Sequence, residues 1–411
     1  VTDASGARAG ARNLLLGCGG IDLMRGARVL VIREHPALGW YDGLAADALI
    51  AEAQALGLAV DCLHVGAPDT EVLSSVDAHV EAYDVAVFFA RLGDLDRFET
   101  RPENTVRVMA YTRDVDMLAS DFGTTPHAAM LELKFAIDRL MLGAGEIRVS
   151  CALGTDFRGS LSDDCRRSHS DVSMRRFPLG VPQPTLAQGF SGKVAIAHHL
   201  VSTGTRIDEW TVQRLPETVF VVIEHGRIQS FEGHTVACEL AENHLRRVAE
   251  LYQLDWRLVH SWHAGIHPGC GNRRAVGMDP DRWSNTLFCN PRLLHFHSVG
   301  DSAPGEVSWT VTDPTVSIDG NPLWQSGRLM VEDFPQTAAV LERWPNLHGL
   351  WSQPCASVSR YRPTRARVPP GTRPRERRSA PVSGQPRTAL AAELAGALGR
   401  CLPRPHGGGI R

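Results

Sequence analysis

Five of the 17 histidines, His260, His263, His267, His295 and His297, fall in one stretch of the chain, and Glu306 follows closely. Neutral imidazole is the commonest protein ligand for a borderline divalent metal, and a nearby carboxylate supplies charge that the ion needs. The same side chains can act as acids and bases near neutral pH. The plainer alternative is five unrelated histidines used as polar surface or hydrogen-bonded core. Their clustering among Gly/Pro turns and apolar runs favours a metal or catalytic site.

What they can do depends on the elements that carry them. HSWHAGIHPG reads as a helix with His260, His263 and His267 on one face, or as a strand running into a turn. The preceding WRLV and the Pro268-Gly269 pair favour strand, then loop. At strand period, LLHFHS puts His295 and His297 on one face with Phe296 on the other. GEVSWTVTD likewise puts Glu306 and Ser308 opposite Val307 and Trp309. Three neighbouring strands thus predict His263, His297 and Glu306 at one point, with His267 as a further ligand candidate. Two histidines and a carboxylate with open positions are typical of non-haem Fe(II) oxygenases. The same set would hold Zn(II) or Co(II) for hydrolysis by metal-bound water. His295 or His260 is the candidate proton shuttle, and His295 could instead be a ligand or orient His297.

Weaker candidates lie elsewhere. Asp156 in GTDF reads as an N-cap in a turn. His198-His199 ends an apolar strand and reads as surface. Glu224 and His225 precede Gly226 in an expected hairpin turn, and Glu232 beyond it is a spare carboxylate. Cys270 and Cys289 flank the histidines without a Cys/His/Asn pattern, and no GxSxG is present.

The rest of the chain predicts a scaffold in two parts. Over residues 1–150, ARVLVIRE, LAVDCLHV, YDVAVFFA and VRVMAY are continuous apolar runs of strand length. Helical patterns at Leu44–Leu56 and TPHAAMLELKFAIDRLML separate or follow them, and EIRVS closes the unit. Such strands imply an α/β domain with a mostly parallel sheet covered on both faces. No GxGxxG follows the first strand and no P-loop occurs, so nucleotide binding has little support. Over residues 151–351 the runs are shorter and the turns denser, implying an α+β metal-binding domain. KVAIAHHLV, ETVFVVIE, RIQSFEG, WRLVHSW, NTLFCN, LLHFHSVG, EVSWTVTD and TVSID read as strands, with a helix from Thr235 to Tyr252. Residues 352–411 are rich in Arg and Pro and are expected to be a disordered, solvated tail.

The formal charge of −3 over 411 residues gives no electrostatic case for nucleic acid or a membrane surface. No apolar run approaches the ~20 residues that span a bilayer. The N-terminal segment lacks the apolar core of a signal peptide. Nine scattered cysteines without a CxxC pair suggest reduced thiols and a cytoplasmic protein. The expected partner is a small-molecule substrate, and assembly as a homo-oligomer stays open.

In order along the chain, RVLVI, GWYDGLAADALIAEAQALG, EIRVSCALGTDF, VVIEHGRIQSFEGH, a turn at GIHP and DPTVSIDG form a recognisable series. It resembles the aminopeptidase T-like metallopeptidase family, and more closely the branch that contains 2,5-dihydroxypyridine 5,6-dioxygenase. The resemblance covers roughly residues 26–330. It implies either a two-metal peptidase site or, in the dioxygenase branch, one Fe(II) held by two histidines and an aspartate. The ligand positions it implies fall on Ser261, Glu306 and Ser308, so two of the three are serines. A site relocated to His263, His297 and Glu306 is the expectation that reconciles the two readings. The leading expectation is a non-haem Fe(II) dioxygenase acting on a small hydroxylated aromatic or heteroaromatic molecule. A metallo-aminopeptidase or amidase is the runner-up, and a metal-free binding or scaffold homologue is third.

Overall fold

Val29, Leu30, Val31 and Ile32 are buried in succession along one strand, so both faces of that strand are covered. It lies inside a five-stranded parallel sheet. The order across the sheet is Ala59–Val65, Arg28–Glu34, Val85–Phe89, Val106–Ala110 and Arg175–Phe177. The computed structural model describes residues 3–20, 26–95, 97, 104–167, 174–202, 212–271, 280–301 and 304–356. All of them belong to one compact unit, Val1–Arg360.

The first four parallel strands and the helices Leu44–Ala55 and His127–Gly143 form where their apolar runs predict. Three features of this region depart from expectation. The N-terminal segment forms a helix, Ala4–Arg12, whose first turn is capped by Asp3 accepting from the backbone N–H groups of Ser5 and Gly6. Its Arg8 and Arg12 reach the buried carboxylate of Glu52 at 2.6 and 3.1 Å. A further helix, Thr70–Val80, links the second and third strands. The run EIRVS does not close the parallel unit. Ile147–Ser150 pairs antiparallel with Asp156–Gly159 and Thr315–Ile318, and the fifth parallel strand is Arg175–Phe177.

Two antiparallel sheets make up the remainder. The eight-stranded sheet runs Arg227–Gly233, Val219–Glu224, Phe190–Ile196, Asp156–Gly159, Ile147–Ser150, Thr315–Ile318, Asn321–Gln325, Arg328–Leu329. Asp156 is thus the first residue of a strand and not a helix cap, its carboxylate accepting from Arg148 at 2.8 Å. The hairpin at Glu224–Arg227 is as expected, with His225 and Gly226 both at positive φ. The six-stranded sheet runs Val212–Arg214, His199–Ser202, Glu306–Thr312, Leu293–Val299, Val259–Ala264, Thr185–Leu186. KVAIAHHLV therefore splits between the two sheets. NTLFCN is not a strand: its first three residues end the helix Pro280–Leu287, in which Asn285 bonds back to Asp281 one turn earlier.

One apolar core joins the two antiparallel sheets. Phe157 and Phe190 from the eight-stranded sheet meet Phe296 and Trp262 from the six-stranded sheet at ring separations of 5.3 and 5.6 Å. The helix Thr235–Tyr252 packs Ala237, Ala241, Leu245 and Val248 into the same core. No described helix is long and apolar enough to cross a membrane. The start of the basic segment is held as far as Ala356, whose N–H donates to the Pro268 carbonyl at 2.8 Å. Residues 357–411, with the rest of the expected tail, lie outside the described residues.

Candidate functional site

The strands Val259–Ala264, Leu293–Val299 and Glu306–Thr312 lie side by side, and strand alternation sorts their residues onto two faces. Trp262, Phe296 and Trp309 point into the core between the sheets, with Phe296 stacked on Trp309 at 5.6 Å. The register puts Ser261 opposite His297, His263 opposite His295, His297 opposite Ser308, and Val299 opposite Glu306. Directly paired residues share a face, so Ser261, His263, His295, His297, Glu306 and Ser308 all project from the other side. His199, on the next strand out, belongs to this face by the pairing of Val201 with Ser308.

His263 and His297 stack with their rings inclined by 28° and their centres 5.0 Å apart, and His295 is 6.0 Å from His263. His297 Nδ1 makes a short contact with Glu306 Oε1. The second oxygen of Glu306 accepts from Arg97 Nη2 at 2.7 Å. Burial alone would raise the Glu306 carboxyl, but the Arg97 guanidinium and His297 outweigh it and hold its pKa down at about 2. The carboxylate is therefore ionised, with both oxygens engaged. Burial pushes His295 down to about 3, helped by His297 and His199, so its ring is neutral at working pH. Burial also puts His263 well below the usual histidine range, with His297, His295, Arg176 and Arg97 adding to the effect.

Groups from the parallel sheet face this cluster. Arg97 follows the short 3-10 turn Arg91–Asp94 beyond the third parallel strand. Tyr111 follows the fourth, and its hydroxyl donates to Asp94 at 2.8 Å. Phe288, just past the helix Pro280–Leu287, sits edge-on to Tyr111 at 5.1 Å and to His263 and His295 at 6.4 and 6.3 Å. The histidine face thus meets the carboxyl-terminal edge of the parallel strands, where ligands of open α/β sheets bind.

Of the residues expected at the site, His263, His295, His297 and Glu306 come together. His260 sits at a bulge in its strand, half-buried, with Nδ1 3.0 Å from Ser261 Oγ. His267 is fully buried in the following loop, where its Nδ1 accepts from the Gly269 N–H and its ring meets Phe122 edge-on at 4.9 Å. Its Nε2 is buried without a partner. The serines at the implied ligand positions are neighbours of the cluster, since Ser261 and Ser308 both pair with His297. His199, expected at the surface, is buried, its ring 5.9 Å from Trp283. Arg97 carries no local sequence signal, because its partner lies 209 residues away.

A divalent metal at this point would need a carboxylate free to bind it and imidazole lone pairs that converge. Both Glu306 oxygens are engaged, one of them by a guanidinium whose charge opposes a metal cation. Among the described residues, no group of three or more His, Cys, Asp or Glu side chains is arranged to hold a metal ion. As it stands the site does not fit a two-histidine, one-carboxylate ligand set. One feature does point to an absent partner. His263 Nδ1, His297 Nε2 and both ring nitrogens of His295 are buried without a hydrogen-bond partner, whereas buried polar atoms are normally satisfied by protein, water or ligand.

No family model matches this chain, and no curated protein matches it in sequence. Among solved structures, the fold is similar to that of 2,5-dihydroxypyridine dioxygenase from Pseudomonas putida KT2440. The TM-score is 0.55 at 16% identity, over 82% of this chain and 99% of that one. At that identity the likeness establishes a shared fold: a parallel sheet joined to antiparallel sheets.

Proposed function

We propose that this chain is an oxygenase-like enzyme acting on a small hydroxylated aromatic or heteroaromatic molecule at the histidine face. Its first step is removal of a proton from a ring hydroxyl. His297 is the base, through Nε2, and Glu306 holds the ring at Nδ1 and stabilises the imidazolium that forms. The observation that carries this reading is the contact between a buried, ionised Glu306 and His297, whose far nitrogen is unpartnered. Arg97 fixes the carboxylate, and the neutral His263 and His295 offer hydrogen bonds to the deprotonated ring oxygen. A deprotonated phenol or hydroxypyridine is electron-rich, which is the state that reaction with dioxygen requires. The shared fold with a 2,5-dihydroxypyridine dioxygenase supports the substrate class.

The test is oxygen uptake and loss of ring absorbance with 2,5-dihydroxypyridine as the first substrate tried. Wild type should turn it over, and His297→Ala and Glu306→Gln should each lower turnover by roughly 10²-fold or more, the usual worth of a positioned base. Unchanged turnover in both variants would remove the pair from the chemistry.

The unpartnered ring nitrogens carry a second reading: His263, His295 and His297, which are not arranged to hold a metal here, would have to reorient their rings to hold a divalent ion, Fe(II) or for hydrolysis Zn(II) or Co(II). Glu306 would then orient His297 from behind. Dialysis against a chelator separates the two. Turnover that survives supports the proton-transfer reading, and turnover that is lost and restored by one metal supports the other.

A further inference from the structure

Arg113 lies just beyond the fourth parallel strand and is 3% exposed. Its Nη1 donates to the Tyr41 hydroxyl and its Nη2 to the Asn285 carbonyl at 3.2 Å, while its buried Nε has no acceptor. Among the described residues no carboxylate lies within ion-pair distance of it. Neighbouring guanidiniums differ: the buried Arg91 is paired with Glu34 at 2.9 Å, the partly exposed Arg97 with Glu306, and the buried Arg282 lies 3.9 Å from Asp114. A guanidinium cannot shed its proton, so burial leaves a full charge to be compensated. The rings of Trp40, Tyr41 and Tyr111, at 5.6, 4.8 and 5.6 Å from Arg113 Cζ, offset part of that cost. A phenol and an amide carbonyl add dipoles and no negative charge. Desolvating an unpaired ion costs more than these contacts return.

We infer that Arg113 anchors the carboxylate of a small aromatic acid, so that the ring lies towards the histidine face. The inference rests on the functional reading above and names the substrate's second group. Three observations meet here. The free Nε lies on a guanidinium edge that a carboxylate takes side-on. Tyr111 links Arg113 to Phe288, and Phe288 touches both His263 and His295, so aromatic walls run from the anchor to the imidazoles. Finally, the place is the carboxyl-terminal edge of a parallel sheet.

The experiment is calorimetric titration of the full chain with 2,5-dihydroxybenzoate and with 1,4-dihydroxybenzene, which lacks only the carboxylate. The acid should bind at least about ten-fold more tightly, the factor set by one charge-assisted hydrogen bond. Arg113→Met should bring the acid down to the level of the diol, and Arg113→Lys should restore part of the preference, with thermal melts verifying that each variant folds. If Arg113→Met does not fold, the Lys variant and the wild-type comparison still decide. Equal binding of the two ligands by wild type, or an undiminished preference in the variants, overturns the anchor and leaves the functional reading standing. Binding of neither ligand overturns both.

Discussion

The six-stranded sheet has two faces built from the same three strands, and they obey different rules. On one side Trp262, Phe296 and Trp309 are fully buried against aromatic partners at ordinary packing distances. On the other side His263, His295, Glu306 and Ser308 are nearly as buried, yet several ring nitrogens there have no partner. The first face is packed ring against ring and holds the fold, and its unpartnered polar atoms among these residues are the indole nitrogens of Trp262 and Trp309. The second carries a desolvation cost that its own contacts do not fully offset, as expected where a ligand supplies the missing partners.

The contrast can be broken most forcefully from the packed side. Trp309→Ala should cost roughly 3–5 kcal/mol, the usual range for removing a large buried ring. Chemical denaturation should show that loss, and a change under about 1 kcal/mol would mean that the core had collapsed around the gap. On the polar side, Glu306→Gln leaves Arg97 and His297 without their shared anion. Breaking a buried pair from one end costs roughly 3 kcal/mol. Denaturation midpoints measure it, and an unchanged midpoint would mean that the pair is not formed in solution.

A third prediction follows from the neutral histidines. His295 and His263 have folded pKa values below the unfolded value of about 6.5, so the unfolded chain binds more protons. Their contribution is full above that value and is lost as pH falls towards the folded ones. Glu306 adds to the loss at lower pH, since its stabilisation fades as pH falls through about 2. Between pH ~7.5 and ~5 the wild type should lose roughly 2 kcal/mol per such histidine. His295→Gln should lose less over the same interval, and identical slopes for the two proteins would contradict this origin. The smallest effect is expected at Ser308, whose hydroxyl bonds the Val201 carbonyl at 3.3 Å. Ser308→Ala should cost about 1 kcal/mol or less and leave turnover intact. A large loss of turnover would restore the role that its aligned position implies.

Local patterns made much of this legible. The strand period alone sorts His295, His297, Glu306 and Ser308 from Phe296, Val307 and Trp309, and the helix Thr235–Tyr252 has its predicted ends. What sequence could not carry was pairing at a distance. Ile147–Ser150 has the apolar character of a parallel strand, and only its partners reveal the antiparallel sheet. NTLFCN is too short for its period to distinguish strand from helix end. His267 shares the spacing of a ligand, but its loop turns it towards Phe122. The decisive contact, Arg97 on Glu306, joins residues too far apart for any motif to show.

That contact is also the place to test the account. If Glu306 is held by Arg97 and His297 as half of a proton-transfer pair, it is not free to ligate a metal. Titration of the wild-type chain with Co(II), followed by visible absorption, reads this directly. Wild type should show no ligand-field bands, and they should appear when Arg97→Met releases the carboxylate beside His263 and His297. A full equivalent of Co(II) bound by wild type and lost in Glu306→Gln would contradict it.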